Sequence, residues 1–200
     1  NGAEMQAPQI PGTLPAADIK RLKLDAFDRS NDLKPLSVVT GDIIAKNAYE
    51  WSKATESPLA QAAVRGAEKI TVRPLLGHSG KAVKLPKGAS LSYDFYCDKS
   101  GDARFTIAAI PCFLNAVKDM RVSVSIDRGE PVICQLKEVY NSKNWQFDLW
   151  RGQTLKSFYV TLPGGSHNVT IKALDDNVMI DQWVLDYDVD REYYVFPVAK

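Results

Sequence analysis

From Ser90 onward apolar and polar side chains alternate with period two. Leu91, Tyr93, Phe95 and Cys97 interleave with Ser92, Asp94 and Tyr96, so one set faces a core and the other faces solvent. The same alternation recurs in residues 103–107, 120–126, 158–162 and 169–173, each predicting a strand. Between them lie turn-forming stretches: Pro86-Lys87-Gly88, residues 98–102, Asp127-Arg128-Gly129-Glu130 and Pro163-Gly164-Gly165-Ser166. Parallel crossovers need helices between strands, and this half of the sequence offers none. Short strands with polar turns bury most when two sheets stack, so the pattern predicts an all-β fold, an antiparallel β-sandwich or jelly roll.

Ahead of these strands the pattern is different. Tyr49 to Lys69 is rich in Ala, Glu, Gln and Lys, and predicts a short helix over Pro58 to Ala67, with Pro58 in the first turn and Gly66 near the end. A strand from Ile70 to Leu76 and a tight loop at Gly77-His78-Ser79-Gly80 follow. Ala16 to Phe27 suits a helical turn and a short strand equally. Asn1 to Pro15 holds three prolines and reads as an extended linker, which divides the chain into an N-terminal extension over 1–40 and a sandwich domain over 41–200.

Composition narrows the function classes. The 25 basic and 24 acidic residues lack the excess a nucleic-acid groove needs, so no nucleic-acid partner is expected. No stretch approaches the ~20 apolar residues of a membrane span. The N-terminus lacks the basic and apolar regions of a signal peptide, yet the start at Asn1 suggests a processed or trimmed chain and leaves a removed export signal open. Cys97, Cys112 and Cys134 lie in or beside apolar runs and are expected as buried thiols, with a Cys97–Cys112 bridge as the alternative in an oxidising compartment.

Several motifs, in order along the chain, resemble one family. Leu155 to Tyr187, with Leu-Pro-Gly-Gly-Ser-His-Asn-Val-Thr-Ile-Lys-Ala and then Asp-Asn-Val-Met-Ile-Asp-Gln-Trp-Val-Leu-Asp-Tyr, resembles the closing strands of the C-terminal domain of glycoside hydrolase family 115, the xylan α-glucuronidases. Leu91 to Phe95, the Ser125-to-Pro131 turn, the Gly77-to-Gly80 loop and Tyr193 to Pro197 match further pieces, for coverage of about Gly41 to Pro197. The resemblance implies a galactose-binding-like sandwich, similar to carbohydrate-binding modules, exported with a glycan-degrading system and without the catalytic barrel. It implies no cofactor. Related modules hold a structural calcium through a Glu-Ala-Glu motif, but Ile44-Ala45-Lys46-Asn47 stands here, and a Lys repels the ion.

The candidate chemistry lies in residues 140–151, which have no clean periodicity. Sugar sites join flat aromatic faces to amides and charged groups that bond hydroxyls, so Tyr140, Asn144, Trp145, Trp150 and Arg151 are the candidate ligand-binding residues for a polysaccharide or oligosaccharide. In the alternative, Trp145 and Trp150 cap the open end of the core, and the sandwich serves a protein partner or a homodimer. Trp183 is expected in the core, and Trp51 either packs the helical segment or meets a ligand. His78 and His167, both read as lying in Gly-rich turns, have no partners at zinc-ligand spacing. No catalytic residue is assigned. The acidic residues Asp175, Asp176, Asp181, Asp186, Asp188 and Asp190 are read as solvated loop carboxylates, with calcium binding or a glycosidase pair as alternatives.

Overall fold

The alternating runs become strands of two antiparallel sheets, as the sequence predicts. The structure, a computed structural model, describes residues 41–113, 118–193 and 196–197. The linker expected over 1–40, including Ala16 to Phe27, lies outside them.

In chain order the described elements are β1 (Ile43–Asn47), β2 (Lys53–Thr55), α1 (Pro58–Gln61), β3 (Thr71–Pro74), β4 (Lys81–Leu85), β5 (Ser90–Cys97), β6 (Gly101–Ala109), β7 (Arg121–Ile126), β8 (Val132–Gln135), α2 (Lys143–Arg151), β9 (Thr154–Leu162), β10 (Gly165–Ala173) and β11 (Val178–Asp186). The first sheet runs β3-β4-β11-β6-β9, with β1 beside the second half of β11. The second runs β2-β5-β10-β7-β8.

The inner faces meet in one core. Leu91, Tyr93, Phe95 and Cys97 of β5 face Ala103, Phe105 and Ile107 of β6 and Ile180, Trp183 and Leu185 of β11. Trp183 is completely buried, as expected, and Trp51 packs half-buried against the same cluster. The first sheet is also covered on its outer side, where Ile43, Ala108 and Val184 pack with Phe196 and the half-buried Tyr193. This second cover explains why β11 is buried along nearly its whole length, whereas β5 keeps the clean alternation of a half-solvated strand.

Several expectations need correction. The helix ends at Gln61 instead of Ala67: Ser57 caps it through Ala60 N, at 3.3 Å, but none of its residues is buried, and Ala63 turns left-handed at φ 52°. The strand after it ends at Pro74, because Leu75 also adopts a positive φ of 61°. The Cys97–Cys112 bridge is not formed. All three cysteines are free; Cys97 and Cys134 are buried and Cys112 half-buried, and burial pushes the Cys97 and Cys134 thiols up.

His167 lies in β10 and not in a turn. Its Nδ1 faces Asp127 Oδ2 at 2.6 Å and its Nε2 faces the Pro163 carbonyl at 2.8 Å, with Phe95 tilted against the ring. Two acceptors suit an imidazolium that donates from both nitrogens. Burial opposes the charge, but the bonds to Asp127 and Pro163 outweigh it and raise the His167 pKa. A raised folded-state value stabilises the fold fully below the unfolded value of about 6.5 and is lost as pH climbs through the folded value. The urea midpoint of the native chain is therefore expected to fall from pH 6 to pH 9 more steeply than that of His167→Gln. Parallel curves would refute the imidazolium.

Candidate functional site

Within residues 140–151, Lys143 to Arg151 fold into α2, and Tyr140 to Ser142 form the turn that leads into it. Ser142 caps the start, accepting from Trp145 N at 3.1 Å, and Gly152 ends it in the left-handed region at φ 70°, donating to the Asp148 carbonyl at 2.8 Å. The helix divides the five candidate residues between two hollows.

On one side Asn144, Phe147, Asp148 and Arg151, spaced i, i+3, i+4, i+7, line a cavity of about 780 Å³. Trp150 stands at it too, with Glu138, Leu155, Lys156, Tyr193 and His78 completing the wall. Trp150 is 76% exposed and Phe147 55% exposed, their rings edge to face at 5.9 Å. Trp150 therefore caps no core.

On the other side Trp145 is half-buried between Tyr140 and Phe113, with ring centroids 5.1 and 5.5 Å away, in a smaller recess of about 320 Å³. Glu138 borders both hollows. Asn144, Trp150 and Arg151 are thus brought together, while Tyr140 and Trp145 are set apart from them.

The charged groups of the cavity are organised by their neighbours. Asp148 is buried; it accepts from Thr154 Oγ1 at 2.6 Å and from Arg151 at 3.3 Å, and burial raises its carboxyl pKa against the pull of those bonds. Arg151 Nε also reaches the Gln153 carbonyl, at 3.3 Å. Lys156 pairs with Glu138. The cavity therefore offers guanidinium, ammonium and carboxylate groups already held in place, together with the Asn144 amide, beside an exposed indole.

His78 comes from the 77–80 loop between β3 and β4, distant from α2 in sequence. Its backbone amide donates to Asp181 Oδ2 at 2.7 Å, and Ser79 donates to Oδ1 through both its amide, at 3.2 Å, and its hydroxyl. Asp181 is completely buried and takes a further bond of 2.7 Å from Gln153, the residue that leads from α2 into β9. Gly77 is required here: its φ is +77°, and a Cβ would lie 2.3 Å from Asp181 Oδ1. One carboxylate thus ties the 77–80 loop to the end of α2.

Asp181 and Asp186 are consequently buried strand residues and not the solvated loop carboxylates expected. Asp186 is ion-paired with Arg191 and accepts from the Tyr193 hydroxyl, and Asp175 is ion-paired with Arg121. Among the described residues no three His, Cys, Asp or Glu side chains are grouped to hold a metal. Sequence reasoning missed Glu138, Phe147, Lys156, Tyr193 and His78. Phe147 alone had a usable signal, its i+3 spacing from Asn144 once Ser142 and Gly152 are taken as helix ends.

Residues 40–199 match the glycosyl hydrolase family 115 C-terminal domain. Among solved structures the chain is similar to a family GH115 4-O-methyl-α-glucuronidase with specificity for decorated arabinogalactans, at 26% identity and a TM-score of 0.59. The match covers 71% of this chain and 17% of that one, so the chain spans about a sixth of the enzyme's length. It is also similar to a family 35 carbohydrate-binding module from Clostridium thermocellum, at 14% identity and a TM-score of 0.50, over 72% of this chain and 98% of that one. A β-(1,4)-mannanase from Podospora anserina that carries such a module matches at 14% identity and a TM-score of 0.50, over 76% of this chain and 29% of that one. At that identity these two likenesses concern the fold alone. No curated protein sequence matches the chain.

Proposed function

We propose, because the chain belongs to the glycosyl hydrolase family 115 C-terminal domain family, that it is a non-catalytic carbohydrate-binding module whose sugar site is the cavity beside α2. The carrying observation is Trp150, 76% exposed at a cavity that also holds Asn144 and Arg151. An indole left in water costs apolar exposure, and a pyranose ring offers the flat apolar face that relieves it. Asn144, Arg151 and the Lys156–Glu138 pair then supply donors and acceptors for the hydroxyls. The module would work in an exported glycan-degrading system, and decorated arabinogalactan and glucuronoxylan are the probes that its relatives suggest.

Calorimetric titration of both polysaccharides tests this. Trp150→Ala is expected to weaken binding about tenfold, equivalent to about 1.4 kcal/mol, whereas Tyr140→Ala, on the opposite side of α2, leaves it unchanged. Equal affinities for the native chain and Trp150→Ala would overturn the assignment.

A second reading has its own observation. Val139, Tyr140, Phe147, Leu149 and Trp150 are all exposed around α2, which suits a docking surface for a protein partner or a second copy. Light scattering separates the two, since a dimer that Leu149→Asp dissociates would favour docking.

A further inference from the structure

The outer face of the second sheet differs from that of the first in both chemistry and cover. Outward from β5 stand Ser90, Ser92, Asp94 and Tyr96, and outward from β10 stand Ser166, Asn168, Thr170 and Lys172, all exposed or half-exposed. The register sets Tyr96 opposite Ser166, Asp94 opposite Asn168 and Ser92 opposite Thr170, and β7 adds Ser125 beside Thr170.

These side chains are already ordered by one another. Asn168 Nδ2 donates to Asp94 Oδ1 at 2.7 Å, Thr170 Oγ1 donates to Asn168 Oδ1 at 3.2 Å, and the Ser92 and Thr170 hydroxyls lie 2.8 Å apart. A surface whose rotamers are fixed before contact loses less entropy on binding.

Two adjoining hollows lie on this face and share Asp94, Asp127 and Asn168. One, of about 640 Å³, extends to Ser52, Lys53, Ser92 and Arg128. The other, of about 540 Å³, extends to Tyr96 and Ser166. Arg128 reaches the first from a strained turn: Asp127 and Arg128 have φ of 50° and 62°, outside the usual range for such side chains. The turn is held down by Asp127, which accepts from Asn168 N at 2.9 Å and bonds His167.

We infer that this face is a second glycan-binding surface, which takes a neutral polysaccharide chain lengthwise along β5 and β10. Tyr96, 61% exposed, stacks on one ring, and Asp94, Asn168 and Arg128 bond the hydroxyls. Three observations select this ligand. Hydroxyls, an amide and a carboxylate match a partner that donates and accepts at every ring. In the first hollow Lys53 and Arg128 balance Asp94 and Asp127, and the second holds Asp94 and Asp127 beside His167 without a Lys or Arg, so neither concentrates positive charge for a polyanion. The face lacks the apolar centre on which protein interfaces depend. From Ser92 to Tyr96 the strand runs about 13 Å at ~3.3 Å per residue, longer than one sugar ring.

The inference rests on the carbohydrate-binding reading above, and the experiment keeps the two apart. The full chain and its Trp150→Ala, Asp94→Ala, Tyr96→Ala and Trp150→Ala/Tyr96→Ala forms are run by affinity electrophoresis through arabinogalactan, glucuronoxylan, mixed-linkage β-glucan and β-mannan. Thermal melts check that each form is folded, and Tyr96 is exposed enough for its truncation to leave the core intact. Tyr96→Ala and Asp94→Ala are each expected to weaken retention about fivefold to tenfold on at least one neutral glycan, and the double variant more than either single.

Retention that Trp150→Ala abolishes but Asp94→Ala and Tyr96→Ala do not change overturns the second surface and leaves the first site standing. Retention lost only in the Asp94 and Tyr96 variants supports the second surface and removes the first. No retention of the native chain on any of the four overturns both. A dimer seen by light scattering that Tyr96→Ala dissociates, with glycan retention unchanged, makes the face a contact between copies and also overturns the inference.

Discussion

Asp181→Ala is expected to lower the unfolding free energy by about 3–4 kcal/mol and to remove glycan binding at the α2 cavity in the same variant. The carboxylate is completely buried and accepts four hydrogen bonds, from His78 N, Ser79 N, the Ser79 hydroxyl and Gln153 Nε2. Truncation leaves two backbone amides and a side-chain amide facing a void that offers no acceptor, and each unpaired buried donor costs about 1–3 kcal/mol. The loss is shared by two segments far apart in sequence, since the same carboxylate fixes His78 at the cavity wall and Gln153 at the exit of α2. Asp181→Asn keeps the volume but turns an NH₂ toward donors, so it should recover less than half of the lost stability. Gly77→Ala reaches the same point from the other side, because its Cβ would collide with Asp181. Urea unfolding and titration of arabinogalactan on the three variants measure both consequences. Native-like midpoints would show that the carboxylate does not join the loop to the helix.

That junction also marks where the sequence stopped being readable. In the second sheet β5, β7 and β10 were legible because one face is wet: in β5 the buried Leu91, Tyr93, Phe95 and Cys97 alternate with Ser92, Asp94 and Tyr96, and period two needs no knowledge of partners, whereas the short β2 and β8 were not foreseen. Trp183 was legible from period two as well, standing two residues from Leu185, although β11 is buried along nearly its whole length. Asp181 and Gln182 were not, because their burial depends on Ser79, Gln153 and Asn47, and no local pattern reports bonds that span 28 to 135 residues. For α2 the end signals Ser142 and Gly152 were present, but Trp, Phe, Asn and Asp are indifferent helix formers and obscured them. The cost was specific: without the helix, Tyr140 and Trp145 seemed to share a surface with Trp150. The hydroxyl-rich face of β5 and β10 looked like ordinary solvent-facing alternation, and only the register revealed its Asp94, Asn168 and Ser92, Thr170 pairs.

Trp183 links the two proposed glycan surfaces and carries the other large effect. Its indole is completely buried against Tyr93, Phe95 and Phe105, with ring centroids 5.6, 5.5 and 5.3 Å away. Tyr93 and Phe95 belong to β5, whose opposite side bears Asp94 and Tyr96, while Phe105 belongs to β6, the neighbour of β9, which carries Leu155 and Lys156 of the cavity. Trp183→Ala is expected to cost about 3–5 kcal/mol, since neighbouring rings fixed in two sheets cannot collapse into the space. Trp183→Phe should cost about 1 kcal/mol or less. Trp183 Nε1 is buried without a hydrogen-bond partner, and removing that unpaired donor offsets much of the lost packing. The alanine variant should also weaken both glycan sites, because the core side chains that hold β5 and β6 in place lose their common support, whereas the phenylalanine variant keeps both. Thermal melts with retention on the same glycans read the contrast, and equal melting points for the two variants would mean that the indole is not the packed centre of this sandwich.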